Sequence, residues 1–460
     1  MRAGLPEVGA DAALSIRNIR GVPVHTGPAA WSALLGAAPL RAPLRGEVGC
    51  DVAIVGAGFA GLSAARRLRQ IAAGADLVVV DAGAVAEGGA GRNSGFMIDL
   101  PHDITSDDYG SGAGRDKALT RLNRQAIDWA ADAVQDYAIP EGFFRRSGKI
   151  NGAASGVGLA ANDSYAAHLR TLGEKHELLD SAAMREITGS GYYQGGLFTP
   201  GTAMLQPAGY IRGLAVGVER QGVRIFEDSP VLRFESTAAG WRLHCTAGTL
   251  QASSVILASN GHLESFGYKR GRLMHIMLNA CMTEELGSEQ LQLLGGADCW
   301  GVTPTDPMGT TVRRISRAQG GNRIIIRQGG YYRPGMQTSA SELTRLEGRM
   351  RDKFVARFPQ LGGVRFQYAW SGHLCLSRNG VSVMRQLEPG MFSACVCNGL
   401  GTARGTLMGI AAAELSCGVS SEVTAFFLAE DEPEKLPPHP FDTIGANLYM
   451  RWKEWQARLE

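Results

Sequence analysis

The chain has 460 residues, with 46 Lys and Arg against 44 Asp and Glu, for a formal net charge of +2. So even a balance sets up no strong field and disfavours nucleic acid or an anionic membrane surface as a partner. The apolar share of 45% and the charged share of 20% are those of a globular protein. No run of about 18 apolar residues could span a bilayer, and the length suits two domains better than one core.

In chain order, residues 1–49 read as an arm rich in Gly, Ala and Pro, without the apolar block of a signal peptide. Residues 51–105 give a strand, a helix, a strand and a Gly-rich loop. Leu119, Leu122, Ala126, Trp129 and Val134 predict a helix over 115–137. Short strands at 149–154 and 196–199, a helix at 208–220 and a strand at 223–226 follow. Alternation over 230–258 predicts antiparallel strands, and Arg323 to Arg327 a further one. A helix over 340–358, a strand over 392–397, a Gly turn and a helix over 403–417 complete the core. The tail carries Pro437-Pro438-His439-Pro440 and a helix with Trp452 and Trp455. The eight cysteines include no Cys-x-x-Cys pair. A chain this long needs no disulfide staples, so reduced thiols and a cytoplasmic location are expected. Cys395 and Cys397 read as buried strand residues rather than metal ligands, and no metal is expected.

Asp51 to Val55 is a short apolar strand that runs into Gly56-Ala57-Gly58-Phe59-Ala60-Gly61, after which Leu62, Ala65 and Leu68 repeat at helical spacing. Gly56 permits the tight turn, Gly58 lets backbone approach a pyrophosphate, and Gly61 lets helix pack on strand. The helix N-terminus offers free N–H groups to the phosphates. The second strand ends at Asp81, followed by Ala82, where an acid accepts hydrogen bonds from ribose hydroxyls. Together these features predict a dinucleotide site. Gly156 to Ala161 also fits the glycine spacing, but no apolar strand precedes it, and a surface turn is expected there.

Three further segments favour FAD over NAD. Gly89-Ala90-Gly91-Arg92-Asn93-Ser94-Gly95, continuing into Phe96 and Met97, can lay backbone amides and the Arg92 and Asn93 side chains along a pyrophosphate and flavin. Ser259-Asn260-Gly261 ends a strand in small residues that can close over a cofactor, as can Val231 at the head of another strand. Gly399-Leu400-Gly401-Thr402-Ala403-Arg404 opens the last core helix, whose positive end would favour the reduced, anionic flavin. Arg404 is assigned to the flavin side, with solvent as the alternative.

These motifs resemble the D-amino-acid oxidase/glycine oxidase superfamily of FAD enzymes. The residues carrying the resemblance are Cys50-Asp51-Val52 with Gly56 to Gly61, Gly91 to Gly95, Phe358 to Val364, Trp370-Ser371-Gly372, and Pro437 to Phe441. Leu400 stands where the family often has His, and Asp81 where Glu is commoner. The resemblance implies an α/β fold: a discontinuous Rossmann-type FAD-binding domain (50–110, 205–262 and 365–425) plus an α+β substrate domain with a mixed β-sheet (111–204 and 263–364), with a tail at 426–460. It also implies hydride transfer from the carbon beside an amine to flavin N5, hydrolysis of the imine, and electrons passing to O2 or another acceptor. Some relatives hold FAD through a Cys near Trp370; Ser371 matches that position, so FAD is expected to be non-covalent.

Amine oxidation by a flavin needs position, desolvation and a cofactor field more than acid–base groups. The substrate candidates follow. His102 could orient or deprotonate an amine, or be an ordinary loop histidine. Arg327 with Tyr331, Tyr332 and Arg333 could clamp a carboxylate, or be solvated strand charges. His373 and Cys375 lie beside the expected flavin and could be packing alone. The expected partner is a small amine or amino acid, with a homodimer or an electron-acceptor partner also possible. Two alternatives stand. A flavin monooxygenase would carry an Asp-Gly motif, which this chain lacks. A flavin-binding subunit relaying electrons would turn over only with its partner.

Overall fold

The computed structural model describes residues 16–101 and 112–460. Two large sheets organise them. The first has nine strands, with Gly46–Val55 at its centre, parallel to Leu77–Val80 on one side and to Gly248–Leu257 on the other. Arg224–Phe226 extends the parallel set beyond Leu77–Val80, and Met391–Cys395 beyond Gly248–Leu257. Strands buried on both faces read as continuous apolar runs; Leu77, Val78, Val79 and Val80 are all fully buried. The helix Phe59–Ile71 covers one face and packs on Ala403–Ser416. Gly409 makes that approach possible, since a Cβ there would lie 2.1 Å from the Ala60 carbonyl oxygen. This is the Rossmann unit the fingerprint predicts.

The second sheet has eight mixed strands in the order Phe366–Ser377, Leu273–Thr283, Arg323–Tyr332, Thr311–Ile315, Trp300–Pro304, Lys149–Ala153, Gly195–Thr199 and Glu177–Asp180. One face carries the helix Ala340–Arg357, which buries Leu346, Met350 and Phe354 against Cys281, Ile324 and Ile326. The fold is therefore the two-part α/β architecture expected, with the cofactor unit assembled from separated segments.

Several local readings need correction or extension. Gly156 to Ala161 is not a turn: it opens the helix Gly156–Leu172, capped by Ser155, whose hydroxyl accepts from the Gly158 N–H at 3.1 Å. Buried Tyr165, Ala166 and Leu169 give this segment the helical period that its glycines obscure. The last strand over 230–258 is antiparallel to Gly240–Cys245 but parallel to Gly46–Val55. The arm is partly structured: Ile16–Asn18 adds an edge strand, and Trp31 in the short helix Ala30–Ala33 is fully buried. The helix Ala113–Asp136 packs through Leu122, Ala126 and Ala130 into the same core as the fingerprint helix. Among the described residues no helix is long and apolar enough to cross a membrane.

Candidate active site

A cavity of about 1460 Å³ runs between the two sheets. That exceeds the range of roughly 300–1,000 Å³ for a single small-ligand pocket and leaves room for a dinucleotide and a substrate together.

The cofactor end is built as the glycine pattern requires. Gly56 has φ +112°, and a Cβ there would lie 2.7 Å from the Ala258 carbonyl oxygen. At Gly61 it would lie 1.8 Å from the Gly56 oxygen, so Gly61 is a packing glycine and does not reach the cavity wall. A Cβ on Gly58 would meet only Ala90 at 3.6 Å and otherwise point into open space. The N-terminus of Phe59–Ile71 has no side-chain cap and no acid in its first turn, so its N–H groups are available to phosphate. Asp81 accepts from the Ala57 N–H at 2.7 Å and the Gly83 N–H at 3.0 Å. Burial raises its pKa against those two hydrogen bonds. It holds the glycine turn and keeps lone pairs for a ribose. Phe59, Ala60, Ala82, Val231 and Ser259 line the same end.

The loop Gly89 to Gly95 works differently from its sequence reading. Arg92 borders the cavity, but its guanidinium is spent on protein: it donates to the carbonyls of Glu87 at 2.6 Å, Gly27 at 3.0 Å and Ser371 at 3.2 Å. The Asn93 side chain is likewise used within the loop, donating to Ala90 and accepting from the Gly95 N–H at 2.8 Å. Three other side chains grip the outer edge. Trp370 Nε1 donates to the Arg92 carbonyl at 3.1 Å, Trp31 Nε1 to that of Asn93 at 2.9 Å, and Arg313 to that of Ser94 at 2.9 Å. With those carbonyls held, the N–H groups of Asn93 and Ser94 point the other way, so backbone rather than side chain offers donors to a cofactor. Gly91 packs on Ala86 and Gly95 on Arg313, and Met97 is fully buried; none of the three lines the cavity, whereas Phe96 does.

The last Gly-rich loop places Gly399, Leu400, Gly401 and Thr402 on the wall, while Ala403 is buried in the core. Thr402 is tied to the Phe96 carbonyl at 2.7 Å. Arg404 turns away from the cavity: it donates to Ser382 at 2.6 Å and pairs with Glu430, because a buried guanidinium takes the nearest carboxylate. Asn260, itself at φ +49°, accepts from the N–H groups of Val396 and Cys397 and so ties its own loop to the last one. Gly261 packs against His373 instead of lining the wall; a Cβ there would lie 2.4 Å from that ring.

The substrate end is the sheet face opposite the helix Ala340–Arg357. Arg327 pairs in register with Ala280 and Thr311, and Tyr332 with Ile276. All five line the cavity, along with Leu278, Met274 and Met308. Burial holds the Arg327 guanidinium down to about 10, and it has no hydrogen-bond or ion-pair partner among the described residues. Beside it the Thr311 hydroxyl is buried and unpaired. Tyr332 is committed: its hydroxyl donates to Asp442 Oδ2 at 2.9 Å. Tyr331 and Arg333 serve structure, the first accepting from Arg349 at 3.2 Å and the second paired with Glu342 at 2.6 Å.

His373 does not join Arg327 and Tyr332. It pairs with Met277, and so lies on the other face of its edge strand, where it lines the cofactor end of the cavity with His25 and His262. There His373 Nε2 meets His275 Nδ1 at 3.1 Å, and His275 Nε2 meets Glu264 at 2.8 Å. Burial, followed by the neighbouring His275, His262 and His25, holds His373 well below the usual histidine range. Cys375 is fully buried on that same face. His102 lies outside the described residues.

Sequence reasoning missed three contributors. His25, in the arm, lines the cofactor end, held down to about 4 by burial and by Arg92. The helix Phe441–Gln456 closes the substrate end with Gly445, Ala446, Tyr449 and Met450. Lys149 is buried behind the Thr303 wall, bonded to Asn151 and, at 3.3 Å, to Thr303 Oγ1; burial brings it to about 8. Lys149 left a signal, a cation at the head of a predicted strand, and the tail helix was predicted without its place at the cavity.

Comparison with known proteins agrees with this geometry. Residues 51–415 match the family described as DAO, FAD dependent oxidoreductase, and the chain belongs to that family. It is 26% identical over 402 residues to gamma-glutamylputrescine oxidoreductase of Escherichia coli, covering 86% of this chain and 89% of that one. Among solved structures it resembles glycine oxidase from Geobacillus kaustophilus, with a TM-score of 0.66 and 19% identity over 81% of this chain and 96% of that one. The L-amino acid deaminase from Proteus myxofaciens gives 0.65 and 13% identity over 90% of this chain and 97% of that one. The protein is an FAD-dependent oxidoreductase.

Proposed function

We propose that this enzyme oxidises the C–N bond of a small amino acid or related amine bearing a carboxylate. The carrying observation is Arg327: a half-buried guanidinium on the cavity wall with no carboxylate partner among the described residues, on an otherwise apolar face. A partly desolvated cation without a counter-ion is costly, and a substrate carboxylate satisfies it with two charge-assisted hydrogen bonds. Thr311 adds a hydroxyl to that anchor. Ile276, Leu278 and Met274 exclude water from the rest of the substrate, which favours the neutral amine whose lone pair the reaction needs.

Bound FAD would accept the electron pair from the carbon beside nitrogen, its pyrophosphate at the N-terminus of Phe59–Ile71, its ribose at Asp81 and its ring beside Asn93 to Phe96. We assign it as non-covalent: Ser371 stands at the position of likeness to covalent relatives, and Cys375 is fully buried. The curated relative's substrate, a gamma-glutamyl derivative of putrescine by its name, is one compound with a carboxylate and an amine. A cytoplasmic location accords with the eight free thiols.

The test is anaerobic mixing of the yellow protein with amino acids, N-alkyl amino acids, polyamines and their glutamyl derivatives. Bleaching by carboxylate-bearing amines, and weaker bleaching by the same amines with the carboxylate amidated, is the expected result. Persistent colour across the whole panel overturns the reading.

A further inference from the structure

The C-terminal helix Phe441–Gln456 is turned inside out. Its packed side joins polar groups to Met450, which lies against Gly330: Asp442 accepts from the Tyr332 hydroxyl, and Asn447 brackets the Tyr332 backbone, accepting from its N–H at 3.1 Å and donating to its carbonyl at 3.2 Å. Glu454 turns inward beside Gly329. The apolar face looks out. Phe441 is 68% exposed, Leu448 63%, Trp452 50% and Trp455 61%, and all four fall in one stripe at helical spacing. Ile444 and Tyr449 flank it, and Leu459 continues it past the helix end. A surface helix ordinarily shows the opposite arrangement, and an apolar patch of this extent marks a binding surface. Val157, 82% exposed, extends the patch, because Ser155 and the Ala154 N–H hold the side chain of Glu460 beside it.

The charges on this face select what covers it. Eleven positions between 441 and 459 are exposed, and the only charged ones are Arg451 and Arg458. The acids of the segment are used elsewhere: Asp442 on Tyr332, Glu460 on Ala154 and Ser155, Glu454 inward. A second copy seated on this helix would set arginine against arginine with no acid from either helix. Anionic lipid headgroups pair with both arginines, and Trp and Tyr rings settle at the boundary between headgroup and acyl chain. Sixteen residues of helix make a rod roughly 24 Å long, enough to lie flat in that boundary.

We propose that this helix docks the protein on an anionic bilayer surface, its axis parallel to the membrane and its apolar stripe sunk into the headgroup layer. The overall charge of +2 conceals this, because the cations that matter sit on one face. Phe441, Tyr449, Trp455, Arg458, Leu459 and Val157 also line the cavity, so docking brings the cavity to the lipid surface.

The test is co-sedimentation of the full-length holoenzyme with vesicles of phosphatidylglycerol mixed with phosphatidylcholine, and with phosphatidylcholine alone. Binding to the anionic vesicles, a blue shift of tryptophan emission and weakening with salt are expected. The double variant Leu448→Glu, Trp452→Glu lowers binding by about tenfold or more; neither residue lines the cavity, so turnover in solution is retained. Arg451→Glu leaves the packing untouched and weakens binding to anionic vesicles severalfold. Failure of the wild type to sediment with anionic vesicles at low salt overturns the proposal. So does a wild-type dimer in light scattering that Leu448→Glu converts to monomer, because that puts a second copy on the stripe.

Discussion

Arg327 and Tyr332 project from the same face of the sheet although an odd number of positions separates them on one strand. Alternation alone would set them on opposite faces. Opposite Leu273–Thr283, the register steps from Asn279–Gln328 to Met277–Tyr331, so this strand spends one residue more than its neighbour. The extra residue is a bulge at Gly329 and Gly330, with Gly329 at φ +74°. It turns Tyr332 back toward the cavity, where its hydroxyl and backbone hold the C-terminal helix.

That relationship separates two roles on one strand. Arg327→Met should lower the affinity for a simple carboxylate ligand by about 100-fold, the scale of losing a bidentate charged pair, with FAD content unchanged. Titration of the flavin spectrum with an aromatic carboxylate measures it. Tyr332→Phe should leave that affinity nearly intact and cost about 1 kcal/mol of local stability, seen as faster proteolysis of the tail. Equal loss of ligand in both variants would contradict the division.

Gly58 and Gly61 should fail differently. Gly58→Val adds its side chain to open space, so the protein should fold and purify colourless. Gly61→Val forces a carbon to within 1.8 Å of the Gly56 oxygen and should lose the fold itself. Circular dichroism and the ratio of flavin to protein absorbance distinguish them. A yellow Gly58→Val protein with full FAD would remove the cofactor assignment.

Lys149 should make stability depend on alkaline pH. Burial lowers it from 10.5 to about 8, so the folded chain releases this proton before the unfolded chain does. Between those values the unfolded state binds more protons, and the contribution of this group rises with pH. Below about 8 it is unfavourable by about 3 kcal/mol. Lys149→Met, close in volume, should therefore be more stable than wild type at neutral pH, with the gap closing as pH rises from 8. Urea melts at matched pH values check this; a gap that widens with pH would refute it.

The amino-acid sequence by itself determined the dinucleotide unit. Gly56, Gly58, Gly61 and Asp81 act through backbone geometry over a short stretch, and local steric rules are legible in local sequence. It also marked Arg327, because a cation inside an apolar run is conspicuous wherever the strand lies. Only the tertiary structure decided where side chains spend their hydrogen bonds. Arg92 and Arg404 stand in the cofactor loops yet bind the Gly27 and Ser371 carbonyls and Glu430, partners that other segments supply. Strand register set His373 at the cofactor end of the cavity, away from Arg327, and Tyr332 returned to the substrate end through a bulge whose partner strand lies some fifty residues away. The outward face of the C-terminal helix belongs to the same class. Its apolar period is plain in the sequence, but which side meets the protein was settled by Asp442 and Asn447 finding Tyr332. Periodicity states that a helix has two faces; only packing assigns them.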